Sequence, residues 1–262
     1  MPGGIEMLAI RNVSLSFGAH TVLNDVTFSV GKGEVLGLIG PNGAGKTTMM
    51  NVITGIHRAK AGEISLSGEA ISNFPSHRIA ARGLRRTFQT SLLCPGLSVV
   101  ENVMMGLEPQ SAYGFWKAFL GNPGVRRWEE EARGKSMAML DWMGMARFAE
   151  RPGSGLSFGQ QRLVEIARAL VSRPGVLLLD EPAVGLTAPR VDELAEKIKS
   201  IRSEFETSIL LIEHVMQLVL NACDRVVVMS AGGVIADGDP EVVTADPKVV
   251  ESYLGRGYYA ES

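Results

Sequence analysis

The chain has 262 residues, 45% apolar and 21% charged, a globular composition that excludes an intrinsically disordered, collagen-like or coiled-coil chain. Its 26 Lys and Arg against 28 Asp and Glu give a net charge of −2, which argues against nucleic acid as the main partner. The two cysteines, Cys94 and Cys223, stand far apart and outside any C-x-x-C pair, so neither a disulfide framework nor a zinc site is indicated and a reduced cytoplasm is the simplest compartment.

Residues 7–39 read as three strands, LAIRNVSLSF, TVLNDVTFSV and EVLGLIG, the last so continuously apolar that it suits a parallel sheet covered on both faces. A helix is expected over 46–55, then a short strand at EISLSG, a helix near PSHRIAARG and a strand at LRRTFQ. Between about 98 and 150 the pattern turns helical, in SVVENVMMGL, YGFWKAFL and RRWEEEARGKSMAMLDWMGM, and reads as an insertion. From 157 strands and helices alternate again: helix SFGQQRLVEIARALV, strand VLLLD, helix PRVDELAEKIKSIRSEF, strand SILLI, helix VMQLVLNA and strand DRVVVM. A last strand and a helix near DPKVVESYL follow. Val191, Leu194, Ile198 and Ile201 make one apolar helical stripe. No apolar run approaches the eighteen or so residues of a spanning helix. The opening MPGGIEM lacks a secretory signal, and Met7 would serve equally as a start.

The segment after EVLGLIG, Gly40, Pro41, Asn42, Gly43, Ala44, Gly45, Lys46, Thr47 and Thr48, fits G-x-x-x-x-G-K-[ST] between a strand and a helix. Its glycines let successive backbone N–H groups point inward, and the helix that follows adds its positive end, which suits a polyphosphate. Lys46 would reach the β- and γ-phosphates, and the Thr47 hydroxyl would serve Mg²⁺, a cation that prefers hard oxygen ligands. In VLLLDE the apolar strand ends in Asp180 and Glu181, placed to hold the metal through water and to polarise an attacking water. LSFGQ at 156–160 opens a helix with Ser157 as N-cap and Gly159 allowing close approach, a second anion site. If that site cannot reach its own phosphate loop, it can complete a partner's in a head-to-tail dimer.

With these motifs in this order, the chain resembles the ATP-binding cassette family over nearly its whole length. The resemblance implies an α/β P-loop ATPase core with an N-terminal antiparallel β subdomain and a helical insertion. It implies one domain over 1–262, with the core at 7–90 and 157–262 and the helical part at about 91–156. It assigns Gln89 in RTFQT to the Q-loop, acting in catalysis and at the metal, and LSFGQ to the signature, where Ser157, Gly159 and Gln160 meet nucleotide. Asp180 and Glu181 become the Walker B pair, and His214 in LLIEH the switch histidine, which on its own would read as a helix-start residue. Phe17 takes the place of the aromatic that stacks on adenine, with Val22 as a second base contact; read alone, Phe17 is ordinary strand packing. Catalysis would rest on Glu181, His214, Lys46 and Gln89, and the metal on Thr47, Gln89 and Asp180, with ATP and Mg²⁺ as the cofactors. Two positions depart from the pattern: Phe158 replaces a signature glycine, and Thr187 stands where many members carry the D-loop aspartate.

A single cassette without a membrane segment implies a subunit peripheral to the cytoplasmic face of the inner membrane, docked on two permease subunits. Residues 90–106 would face the permease, with Phe88, Leu92 and Leu97 as contacts or as plain packing. RTFQ, YGFWKAFLGNPGVRRWEEE, GQQRLVEIARAL, EPAVGL, LLIEHVMQLV and DPKVVESYLG are similar to the larger ATPase subunit of branched-chain amino acid importers. That group implies a heterodimer with a smaller homologous ATPase rather than a homodimer, and an external substrate-binding protein acting indirectly. Phe115, Trp116, Phe119 and Leu120 would cover the insertion's core or touch lipid or permease. Amides, urea and aromatic acids stay open as cargo. A soluble cassette in iron–sulfur cluster assembly and an envelope lipid transporter stay open as alternatives, and a small-molecule kinase leaves LSFGQ without a role.

Overall fold

Mixed buried and exposed positions along the first two strands, and unbroken burial along the central ones, set the architecture of a computed structural model that describes residues 5–87, 93–110 and 123–254. By internal contacts the chain divides into Met1–Arg86 with Gly175–Ser262, and Thr87–Pro174.

In the first unit β1 (Glu6–Phe17) and β2 (His20–Gly31) form a long antiparallel hairpin, to which β4 (Ala61–Leu66) and β5 (Glu69–Ala70) add in the order β2-β1-β4-β5. A second sheet contains β3 (Val35–Ile39), β6 (Leu84–Arg86), β7 (Val176–Asp180), β8 (Ser208–Ile212), β9 (Arg225–Ser230) and β10 (Gly233–Gly238), in the order β10-β9-β3-β8-β7-β6. Pairings from β9 through β6 are parallel, and β10 returns antiparallel to β9. The expected fold class is therefore the observed one.

Every residue of β3, β7 and β8 is buried, as strands sandwiched on both faces require. Period-two side-chain alternation divides them between two cores. Leu36, Leu38, Leu210, Ile212, Val227 and Met229 join the hairpin's Leu8, Ile10 and Leu23 and helix α1 (Lys46–Ile53) in one cluster. Ile39, Val226 and Val228 face the other way, onto Val219, Val243 and Val249. These three come from α7 (Met216–Ala222), α8 (Pro240–Thr244) and α9 (Pro247–Leu254). The short helix α2 (Ser76–Ala81) precedes β6. Helix α6 (Ala188–Phe205) buries Val191, Leu194, Ala195, Ile198 and Ile201, so the stripe legible in the sequence is its core face.

The second unit is helical where it is described: α3 (Val99–Met104), α4 (Pro123–Trp142) and α5 (Phe158–Leu170) pack on one another. Ala132, Ser136, Met139, Leu140 and Met143 form the inward stripe of α4 and its exit. The helix expected over SVVENVMMGL is α-helical only to Met104, then tightens to a 3₁₀ segment over Met105–Gln110. Gly106 lies there against α5, where a Cβ would stand 1.9 Å from the Arg168 carbonyl oxygen, so only glycine admits this packing. Phe115, Trp116, Phe119 and Leu120 lie outside the described residues.

Candidate phosphate and hydrolysis site

Parallel strands deliver their following loops to one edge of a sheet, and in α/β folds ligands bind at the carboxyl ends of the strands. Here the neighbouring strands β3, β8 and β7 end, respectively, in the loop of Gly40–Gly45, in Glu213 and His214, and in Asp180 and Glu181. Segments far apart in sequence thus share one edge.

The loop depends on glycine. Gly40 has φ +146°, and a Cβ there would stand 2.1 Å from the Met229 carbonyl oxygen. Gly45 has φ +101°, and its Cβ would meet Leu23 Cδ2 at 2.9 Å and the Val22 carbonyl at 3.0 Å. Only glycine accepts both the conformation and the proximity. Lys46 opens α1 with 8% of its surface exposed, donating from Nζ to the carbonyls of Gly40 at 2.5 Å and Pro41 at 3.0 Å. Burial lowers its pKa below the usual lysine value, against the raising pull of Glu181 and Asp180. A buried ammonium at the glycine turn that opens a helix is a donor set for a polyphosphate. Thr47 is exposed at the same turn, Asn42 and Gly43 are exposed beside it, and Ala44 is buried beneath. The Tyr253 phenol on α9 hydrogen-bonds to the Gly40 backbone.

Phe17 and Val22 lie on the two strands of the hairpin. Phe17 is 51% exposed and makes a T-shaped contact with His57, with ring centroids 5.3 Å apart. Val22 is half-buried, with its carbonyl against Gly45.

Asp180 is buried and accepts a hydrogen bond from Arg86 at 2.7 Å; the same guanidinium donates to Asn51 of α1 at 2.7 Å. Glu181 takes the left-handed conformation at φ +47°, uncommon outside glycine, and donates its N–H to the Ile212 carbonyl at 2.9 Å. His214 Nδ1 stands 3.9 Å from Glu181 Oε1, and its side chain is 53% exposed. Strain held at a strand exit beside exposed titratable groups is a common property of reactive sites. The oxygen donors of Thr47 and Asp180 suit a hard cation such as Mg²⁺.

At the start of α5 Ser157 and Gln160 form a capping box, Gln160 N–H to Ser157 Oγ at 3.4 Å and Ser157 N–H to Gln160 Oε1 at 3.0 Å. Phe158 is 44% exposed, with the buried Arg162 guanidinium 5.7 Å from its ring centre; Arg162 pairs with Glu165 at 2.9 Å. Ser157 and Phe158 are exposed and Gly159 half-buried, so a short polar helix start lies open to solvent. Thr187 is the exposed N-cap of α6. Gln89, Phe88 and Leu92 lie outside the described residues, while Leu97 is half-buried in a turn.

Three residues at this edge carry no role in the motifs, although Arg86 falls within RTFQT and Glu213 within LLIEH: Arg86, Asn51 and Glu213. Glu213 carried a faint signal, since SILLI ends in an acid just as VLLL does. Arg86 and Asn51 carried none, because their partners are distant in sequence.

A glycine loop with a buried lysine after β3, two acids at the end of β7 and a histidine after the intervening β8 define a P-loop nucleoside triphosphatase. The model of the ABC transporter family matches residues 23–184, and that of the branched-chain amino acid ATP-binding cassette transporter matches residues 234–259. The high-affinity branched-chain amino acid transport ATP-binding protein BraF of Pseudomonas aeruginosa is 39% identical, covering 95% of this chain and 98% of that protein. LivG of Escherichia coli K12, of the same description, is 38% identical over the same shares. The crystal structure of a nucleotide-free ATP-binding cassette from an ABC transporter superposes with a TM-score of 0.83 at 33% identity, covering 95% and 99% of the two chains. The ADP conformation of such a cassette superposes equally well. The chain belongs to the ABC transporter family, as an ATP-hydrolysing cassette subunit. Among the described residues no helix is long and apolar enough to cross a membrane.

Proposed function

We propose that this chain powers an importer of branched-chain or other hydrophobic amino acids, and that residues 1–262 work as one cassette with a catalytic core and a helical part. The observation that carries the reading is the meeting of the phosphate loop, Asp180–Glu181 and His214 at adjacent strand ends, in a chain similar from end to end to branched-chain amino acid transport ATPases.

In this reading the loop from Gly40 to Thr48, with the Lys46 ammonium, cradles the β- and γ-phosphates, while Phe17 and Val22 take the adenine. Mg²⁺, held by Thr47, Asp180 and Gln89, would neutralise charge developing on the phosphate oxygens. Phosphate binding favours charged Lys46 and so opposes the lowering effect of its burial. Glu181 accepts a hydrogen bond from the attacking water and, with His214, orients it for in-line attack. Their 3.9 Å separation is too long for a direct hydrogen bond. Ser157, Gly159 and Gln160 close over the γ-phosphate of a partner cassette, so hydrolysis requires the dimer and closure is what moves the permease. Glycine is absent at Phe158, but the groups that would touch phosphate, Ser157 and Gly159, are present.

The partners in this reading are two permease subunits, a second and smaller homologous ATPase, and indirectly an external binding protein. The chain would sit at the cytoplasmic face of the membrane. The test is gentle purification from native membranes with non-hydrolysable nucleotide, followed by mass spectrometry of what accompanies the chain. Two multi-span permeases and a second cassette are expected. Recovery with soluble assembly factors alone would overturn the importer reading, and recovery with a lipid-export permease would overturn the substrate class.

A further inference from the structure

We propose that Glu213 is a positioning residue of the hydrolytic centre: its carboxylate cross-links the backbone that carries Glu181 to the backbone that carries His214, and so sets their separation. The proposal rests on the reading of Glu181 and His214 as the hydrolytic pair.

Glu213 is fully buried, a position that an acid holds only when its oxygens are satisfied. Its two oxygens divide the work. Oε1 accepts the N–H of Ala183, two residues beyond Glu181, at 2.7 Å. Oε2 accepts the N–H of His214 at 3.0 Å and of Val215 at 3.1 Å. On the near side, Glu181 N–H is already bound to the carbonyl of Ile212. The segment 181–183 is therefore fastened at both ends to the segment 212–215, with the left-handed Glu181 between the two ties. Charge-assisted bonds from a buried carboxylate are strong and directional, and a residue in a strained conformation persists only where its surroundings over-determine it. Burial pushes the carboxyl pKa up, while the three amides and His214 pull it down.

One substitution separates this role from simple packing. Glutamine fills nearly the same volume but has one acceptor oxygen, so it keeps either the Ala183 side or the His214 side and turns an amide donor against the other. Aspartate is smaller and leaves a gap, yet it keeps two acceptor oxygens. A positioning role therefore ranks kcat as wild type, then Glu213→Asp, then Glu213→Gln. A packing role ranks Glu213→Gln above Glu213→Asp.

The chain in its membrane complex is assayed for kcat, KM for MgATP and Tm as wild type, Glu213→Asp, Glu213→Gln, Glu181→Gln and Ile198→Ala, the last a core cut on α6. Expected for Glu213→Gln is a fall in kcat of about tenfold or more with KM within about twofold, since the lost interaction acts on the transition state rather than on binding. Ile198→Ala is expected to lose Tm while keeping kcat. Wild-type kcat in Glu213→Gln, or a Glu213→Gln rate at or above that of Glu213→Asp, would overturn the proposal. If Glu181→Gln itself turns over at the wild-type rate, the hydrolytic pair is misassigned and both readings fall. If Glu181→Gln is inactive while Glu213→Gln is not, only the positioning role falls.

Discussion

Arg86 and Asp180 form an ion pair at 2.7 Å in which each side chain is only 5% exposed. The strand β6 that carries Arg86 pairs directly with β7, Arg86 opposite Leu178. The guanidinium also reaches Asn51, so it ties α1, which starts at the phosphate loop, to the acid at the end of β7.

Removing the cation from this pair leaves a carboxylate in a site built for its partner. Arg86→Met should cost about 3–5 kcal/mol, the usual penalty for breaking a buried pair. The double variant Arg86→Met with Asp180→Asn should lose less than the sum of the two single losses. Chemical denaturation of the four proteins measures this, and strict additivity would show that the pair carries no coupling.

Glu181→Gln should hold nucleotide and fail to turn it over, because the acceptor that polarises water is lost while Lys46 and the loop amides are untouched. A rate loss of about 100-fold or more is expected. Radiolabelled ATP retained after gel filtration, together with steady-state phosphate release, reads both halves of the statement. Rapid hydrolysis by this variant would remove Glu181 from the role.

Phe17→Ala should weaken nucleotide affinity without touching the chemistry. Aromatic stacking contributes about 0.5–1.5 kcal/mol, so KM for ATP should rise roughly 2- to 10-fold by the exponential relation of energy to affinity. The phenyl ring is half exposed, so stability should change little. An unchanged KM would leave Phe17 as a surface residue of the hairpin.

Cys223 should resist alkylation in the folded chain. Its thiol is pushed from 9.0 up to about 12, first by burial and then by Asp224 and Glu213. Thiolate, the reactive form, is then about 1,000-fold scarcer than in a free thiol near neutral pH. Raising the pH from 7 to 9 should leave folded Cys223 largely unlabelled by a maleimide, with rapid labelling once denaturant is added. Peptide mapping distinguishes it from Cys94, and prompt labelling of native Cys223 at pH 8 would contradict the upward shift of this half-buried thiol.

Much of the site was legible because its parts are local. The glycines and Lys46 lie within one short loop, Asp180 and Glu181 are adjacent, and Ser157 caps the helix that follows it. Each part carries a spacing fixed by what a turn or a helix start can do. The fold class was equally readable, since unbroken apolar runs alternating with amphipathic helices permit few architectures, but the strand order β10-β9-β3-β8-β7-β6 came only with the structure. Arg86 could not be found this way. Its neighbours in LRRTFQ are as polar as those of many strand ends, and its meaning comes from Asp180, 94 positions away.

What the sequence determined by itself was the inventory: a P-loop, two acids, a histidine, a capped signature helix, and the strands and helices between them. Backbone conformation and hydrophobic period are local properties, and local properties survive in a linear string. Only the tertiary structure decided which groups meet. The burial of β8 and β7 side by side brings His214 to 3.9 Å from Glu181. It puts Arg86 on Asp180 and sets the Glu213 carboxylate against the backbone amides of Ala183 and His214. The reason is physical: a buried charge must find its partner wherever the packing of apolar surfaces leaves one, and that packing is a property of the whole sheet.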